Sequence, residues 1–226
     1  MGKVRVIEIH ENVFAKNDQK ALETRKELAL KDILFINVMS SPGSGKTTAL
    51  SSLINKMKGE YKIGEMDVDI HTDIDARKVS DATGIETLQI NNGGLCHIDA
   101  DMTSRALEEY EKSGKLEDFD IIFLENIGNL VCPAEFDTGA HKNMMILSVP
   151  EGDDKPLKYP LMFSICDLVL ISKIDTLSFF DFDIQKAKEN ILRLNPKAKI
   201  IPISAKTGEG MDEWQSWIED CKKNLK

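Results

Sequence analysis

The sequence predicts an α/β fold built on a doubly wound, mostly parallel sheet, and two observations carry that reading. Near-continuous apolar runs recur at residues 33–39 (ILFINVM), 121–124, 144–149, 168–171 and 199–203. Runs without polar alternation mark strands covered on both faces. Between them lie stretches of helical periodicity at 47–57, 75–82, 99–112, 182–194 and 211–222. Strands alternating with helices imply parallel βαβ units. A second strand is expected in YKIGEMDV, residues 61–68. A charged helical segment over 8–31 precedes the first strand, either packed as a solvated helix or presented as a partner-binding arm. The chain therefore divides into an N-terminal extension, 1–31, and one domain, 32–226.

Composition narrows the function classes. The 226 residues carry 29 Lys and Arg against 38 Asp and Glu, a formal net charge of −9. An acidic chain without a basic run is a poor match to a nucleic-acid backbone. The first residues, MGKVRVIEIHENVFAKNDQK, contain no apolar signal core, and no apolar run reaches membrane-spanning length. A cytoplasmic location with reduced cysteines is expected, with no nucleic-acid or membrane partner.

The strongest motif is SSPGSGKTT, residues 40–48, set between the first strand and a helix. Gly43, Ser44 and Gly45 let backbone N–H groups wrap a phosphate. Lys46 neutralises the β- and γ-phosphates, Thr47 offers a hydroxyl to magnesium, and Thr48 continues the cradle into the helix. The first glycine of the usual pattern is Ser40 here. This is a P-loop nucleoside-triphosphate site.

Base choice is read further along. SKID, residues 172–175, ends a strand and resembles the Asn/Thr-Lys-x-Asp base-reading element of GTPases, with Ser172 in place of the commoner Asn or Thr, Lys173 along the base plane and Asp175 accepting from guanine N1–H and the 2-amino group. SAKTGEG, 204–210, follows the last strand and would bring the Ala205 amide to guanine O6. GTP is expected over ATP as the substrate. For Mg2+, Thr47, Asp69, Asp75 and Glu125 make an oxygen-ligand set, with Asp73 between the two aspartates. Asp73 and Asp75 have helix capping as a competing role. Glu125 is expected to end the central strand. Lys46, Asp75 and Glu125 form the catalytic set for water attack on the γ-phosphoryl group.

Cys96 and His97 are adjacent, and Cys132 follows a neighbouring strand. Two thiols and an imidazole suit Zn2+ or Ni2+, whereas the bland alternative is two packed cysteines and a capping histidine. Adjacent Cys and His side chains are not expected to hold one ion easily in ideal geometry, which favours an open or shared site. Cys166 reads as a small hydrophobe and Cys221 as inert. His71 and His141 read as surface or switch-loop residues.

Four segments in order, SSPGSGKTT, GGLCHIDA, ENIGNLVCPAEFD and LSVPEGDDKPLKYP, resemble the HypB family of nickel-inserting GTPases of nickel–iron hydrogenase maturation, over about 40–210. The resemblance implies the SIMIBI class of P-loop GTPases, which includes the signal-recognition GTPases. It implies a GTP-dependent homodimer with Cys96, His97 and Cys132 as nickel or zinc ligands near the interface. A lysine of 151–160, where Lys155 and Lys158 stand, would cross to the partner's γ-phosphate, with Lys155 taken as the nucleotide contact. Implied partners are the hydrogenase large subunit and other nickel accessory proteins. No cysteine cluster or histidine-rich stretch marks a nickel store. The related urease accessory GTPases would carry Cys-Pro-His, whereas Cys96-His97 and Cys132-Pro133 stand apart here. A nucleotide-gated regulator with structural cysteines is the reading from another class.

Overall fold

The computed structural model describes residues 11–69 and 72–225, so His71 and residues 1–10 of the extension lie outside the described residues. Seven strands form one sheet: β1 (Leu34–Ser40), β2 (Ile63–Asp69), β3 (Thr87–Asn91), β4 (Ile121–Gly128), β5 (Lys142–Ser148), β6 (Leu168–Ser172) and β7 (Lys199–Pro202). Their order is β3-β2-β4-β1-β5-β6-β7, and every neighbouring pair is parallel. The sheet is therefore wholly parallel. β1 lies at its centre with all seven residues buried, as the apolar run requires.

The helices are α1 (Glu11–Leu30), α2 (Lys46–Met57), α3 (Ile74–Thr83), α4 (Ala100–Lys112), α5 (Lys155–Lys158), α6 (Pro160–Ser164), α7 (Ile184–Leu194) and α8 (Met211–Lys223). Strand alternation sorts them into two layers. Leu34, Ile36 and Val38 face α2, α3 and α8, where Leu50, Leu53, Val79 and the fully buried Trp214 complete one core. Phe35 faces α1 and α4 with Leu28, Leu107 and Tyr110. Met39 faces α6 and α7 with Phe163 and Ile191. None of the helices among the described residues is long and apolar enough to cross a membrane.

Three expectations need correction. β3 was absent from the sequence reading, because TLQIN is a five-residue edge strand without a fully buried residue. β4 runs on to Gly128, so Glu125 sits inside the strand and not at its end. His141 is neither a surface nor a switch-loop residue. Its Nδ1 accepts the Phe35 N–H at 3.0 Å, and its Nε2 lies 2.9 Å from the Arg25 carbonyl. It ties α1 to β1.

The extension's helix is packed, not projecting: Ala21 and Leu28 are buried. Arg25 pairs with Asp137 at 2.7 Å and donates through Nε to the Ala140 carbonyl at 2.8 Å. Asn17 accepts the Ala100 N–H and donates to the Asp137 carbonyl, both at 2.9 Å. α1 thus holds the start of α4 and the β4–β5 connection together.

The His141 contacts need a neutral ring, with Nδ1 accepting and Nε2–H donating. Burial lowers its affinity for protons below the ordinary histidine value. The unfolded chain binds a proton at about pH 6.5 and the folded chain only below that. Stabilisation is thus full above about pH 6.5 and is lost as pH falls toward the lower folded value. His141→Leu leaves the Phe35 N–H without a partner and should cost about 2 kcal/mol at pH 8. The gap between wild type and variant, followed by thermal melts, should narrow as pH is lowered from 7 to 5.

Candidate nucleotide and metal sites

The phosphate loop leaves β1 at Ser40 and enters α2 at Lys46. Gly43 and Gly45 have φ of +74° and +93°, the left-handed region that favours glycine. Ser40 is not among the residues of positive φ, so a serine there carries no backbone strain. Its Oγ donates to the Ser41 carbonyl at 2.7 Å.

Neighbouring elements fix the loop from three sides. Ser172 Oγ donates to the Ser44 carbonyl at 3.0 Å, and Lys173 Nζ to the Gly43 carbonyl at 2.7 Å. Ser41 Oγ donates to Glu151, whose other oxygen accepts from the Ser148 N–H at 2.8 Å. Gly128 packs so closely that a side chain there would meet the Pro42 backbone nitrogen at 3.0 Å. Lys173 therefore braces the phosphate loop with its ammonium, while its stem lines the adjoining cavity.

That cavity, about 200 Å³, is lined by Gly45, Thr48, Lys173, Asp175, Ala205 and Lys206 among others. Asp175 accepts from Ser204 Oγ at 2.7 Å, and Ser204 Oγ accepts the Thr207 N–H at 3.1 Å. Lys155 does not line this cavity; its ammonium lies 5.5 Å above the Tyr159 ring.

The carboxylate group differs from the expected set. Thr47 Oγ1 donates to Glu125 Oε1 at 2.8 Å, and Lys46 Nζ stands 4.0 Å from the same oxygen. Asp67 is the register partner of Glu125 across β2 and β4. Glu65, Asp67 and Glu125 are all buried, and one oxygen from each lies within 4.8 Å of the other two. Burial drives all three toward the protonated form: Glu65 well up, Asp67 up to about 7, Glu125 up against the opposing pull of Lys46 and Thr47. Asp69 is not in this group; its carboxylate accepts from the Thr72 N–H at 3.2 Å. Asp75 pairs with Lys78 at 2.7 Å, and Asp73 with Arg77. Asp75 contributes through its charge, which helps raise all three buried acids. Sequence reading missed Glu65 and Asp67. The signal was present as acids at every second position, 65, 67 and 69, which places them on one strand face.

Buried oxygens of this group lack partners: both on Glu65, Oδ2 of Asp67 and Oε2 of Glu125. Uncompensated carboxylates beside the Thr47 hydroxyl are the donor set a hard divalent cation takes, so these residues fit magnesium.

The cysteines meet at the same end of the sheet. β3 and β4 flank β2, so the loops leaving them converge. Cys96 Sγ lies 2.8 Å from Cys132 Sγ and 3.9 Å from His97 Nδ1. Tetrahedral S and N ligands of one ion stand about 3.6 Å apart and two S ligands about 3.8 Å, so the Cys96–His97 spacing is close to that of co-ligands, whereas the two sulfurs would move apart to share an ion. His97 stacks on Phe136 at 3.8 Å with planes 6° apart. Cys166 is fully buried and donates to the Met162 carbonyl, the small hydrophobe expected. Cys221 packs beside the core, and burial pushes its thiol up to about 11.

A phosphate loop between a central parallel strand and a helix, with Lys46 and Thr47 facing a buried carboxylate, defines a P-loop nucleotide-binding protein. The chain belongs to the CobW/HypB/UreG family, matching its nucleotide-binding domain over residues 34–202, and within it to the HypB maturation factors. It is 43% identical to the hydrogenase maturation factor HypB of Azotobacter chroococcum, over 97% of this chain and 70% of that relative. A crystal structure of HypB from Helicobacter pylori in complex with nickel superposes with a TM-score of 0.87 at 39% identity, covering 92% of this chain and 96% of that one. The signal recognition particle receptor FtsY from Elizabethkingia anophelis shares the fold at 13% identity and TM-score 0.54, covering 82% and 65% of the two chains.

The base-side loop gives a direct test of this packing. Gly208 and Gly210 both have positive φ, but a Cβ on Gly208 meets nothing, whereas one on Gly210 would stand 2.1 Å from the Pro202 carbonyl. Gly208→Ala should cost about 1–2 kcal/mol. Gly210→Ala adds a clash with backbone and should cost about 3 kcal/mol or more in denaturant melts.

Proposed function

We propose that the chain is a GTP-hydrolysing metallochaperone that takes nickel or zinc as cargo and assists nickel insertion into a nickel–iron hydrogenase. The observation that carries this reading is the meeting of Cys96 and Cys132, from two separate loops, at 2.8 Å beyond the strand that holds Glu125. Thiols with a neighbouring imidazole, His97, suit borderline metals. The role printed for the HypB relatives and the nickel complex of the Helicobacter pylori protein support the same cargo. Three ligands per chain make an open or shared site, which can give up its ion.

GTP as the nucleotide is supported by Asp175 at the cavity, whose carboxylate suits the guanine N1–H and 2-amino donors, with the Ala205 amide toward O6. Gly43, Ser44, Gly45 and Thr48 wrap the phosphates, and Lys46 neutralises them. Thr47 and Glu125, with Asp67 in the place expected of Asp69, would hold magnesium, which supplies charge neutralisation at the phosphate oxygens. Hydrolysis then needs a positioned water and a stabilised γ-phosphoryl group, not a covalent intermediate. Asp75, paired with Lys78, sets the charge around the buried acids. Lys155 would meet the γ-phosphate bound by a second subunit, making the homodimer GTP-dependent. The partners of this reading are the hydrogenase large subunit and other nickel accessory proteins, in a cytoplasm that keeps the thiols reduced.

Nickel titration of Cys132→Ala tests the assignment. Loss of one thiolate should weaken nickel binding by about tenfold or more while GTP affinity stays within about twofold. Unchanged nickel affinity would make the paired cysteines structural.

A further inference from the structure

The buried acids present a problem that the nucleotide reading leaves open. Thr47 satisfies one oxygen of Glu125, but Glu65 lies two register pairs further from the phosphate loop, opposite Phe123, and neither of its oxygens has a partner. Glu65 is 0% exposed, and Asp67 and Glu125 are each 3% exposed. Lys46, 4.0 Å from Glu125, is the nearest cation to the group, and Lys78 is held by Asp75. Three carboxylates facing one ammonium would carry an excess of negative charge, and isolated buried carboxylates are strongly disfavoured unless a cation or protons compensate them. No side chain among the described residues hydrogen-bonds the Glu65 oxygens, so a bound cation or shared protons would satisfy them.

We infer that Glu65, Asp67 and Glu125 form a binding site for one hard divalent cation that fills without nucleotide. Three oxygens mutually within 4.8 Å need close by little to surround a cation at about 2.1 Å per ligand. The group holds no thiol or imidazole, so it selects ions of the magnesium and manganese kind and leaves nickel and zinc to the cysteines. The two metal sites are thus separated by ligand chemistry as well as by position. The chain meets its nucleotide with the cation already seated behind Thr47. This extends the magnesium assignment and fails separately from it, since magnesium can also arrive only with the nucleotide.

Manganese is the probe. Free Mn2+ is followed by electron paramagnetic resonance as it is titrated into nucleotide-free protein carrying Cys96→Ser and Cys132→Ser, which remove the soft ligands. One Mn2+ should bind per chain, and the melting temperature should rise with Mn2+ concentration. Glu65→Gln should weaken that binding by about tenfold or more and abolish most of the thermal shift. Glu65→Leu, which fills the position with an apolar side chain, should do the same and serves if the glutamine variant does not fold. Mn2+ that binds only after nucleotide is added overturns the inference and leaves the magnesium assignment standing. Binding unchanged in either Glu65 variant overturns it as well.

Discussion

The Thr47 hydroxyl of α2 donates to Glu125 of the sheet at 2.8 Å, and much of the molecule's working end is arranged around that bond. Thr47 is the second residue of α2, placed there by the phosphate loop. Glu125 belongs to β4, the immediate neighbour of β1, so the two are brought together by the register Val38↔Glu125. A buried carboxylate needs partners, and Thr47 and Lys46 are the groups that meet it. Whatever fills the phosphate loop therefore acts directly on β4. Three residues on, Gly128 packs against Pro42 of the same loop with no room for a side chain. Four residues further comes Cys132. A change at the γ-phosphate has a short, packed route to a thiol.

The connection from β4 to β5 has to cross over β1, and among the described residues it does so with only a short 3-10 turn at Cys132–Ala134. α1 makes up for the missing helix. Asn17 joins the Asp137 carbonyl to the Ala100 N–H, and Arg25 forks onto Asp137. Both loops are thus tied on the side downstream of Cys96, His97 and Cys132. The ion pair itself is half-exposed and contributes at most about 1 kcal/mol; its geometry matters more than its energy. Cys96 stays exposed and Cys132 half-exposed, within reach of a partner.

The sheet was legible because a parallel sheet with helices on both faces needs unbroken apolar runs, and β1, β4, β5 and β6 supply them. β3 was not legible, since an edge strand needs only one covered face and TLQIN mixes polar with apolar residues. The phosphate loop and the base-side loops were readable from residue type and order, because backbone approach to phosphate demands glycine at fixed places. The buried acids were legible only in part: Glu125 stood out at the central strand, while Asp67 and Glu65 were passed over as ordinary strand residues. Only the strand register reveals that they face Glu125 beneath α2. His141 was misread for a similar reason, because its partners are backbone groups more than a hundred residues away. The Cys96–Cys132 contact rests on the order β3-β2-β4, which spacing alone does not give.

The central claim is that the nucleotide, through Glu125 and the Gly128–Pro42 contact, sets the geometry of the Cys96, His97 and Cys132 site. Nickel affinity measured side by side on the GDP form and on a form held with a non-hydrolysable GTP analogue tests it most directly. A change in coupling of about 1.4 kcal/mol corresponds to tenfold in affinity, and the account predicts a difference of at least about that size. Identical nickel constants in the two forms would contradict it, leaving a nucleotide site and a metal site that share a strand without acting on each other.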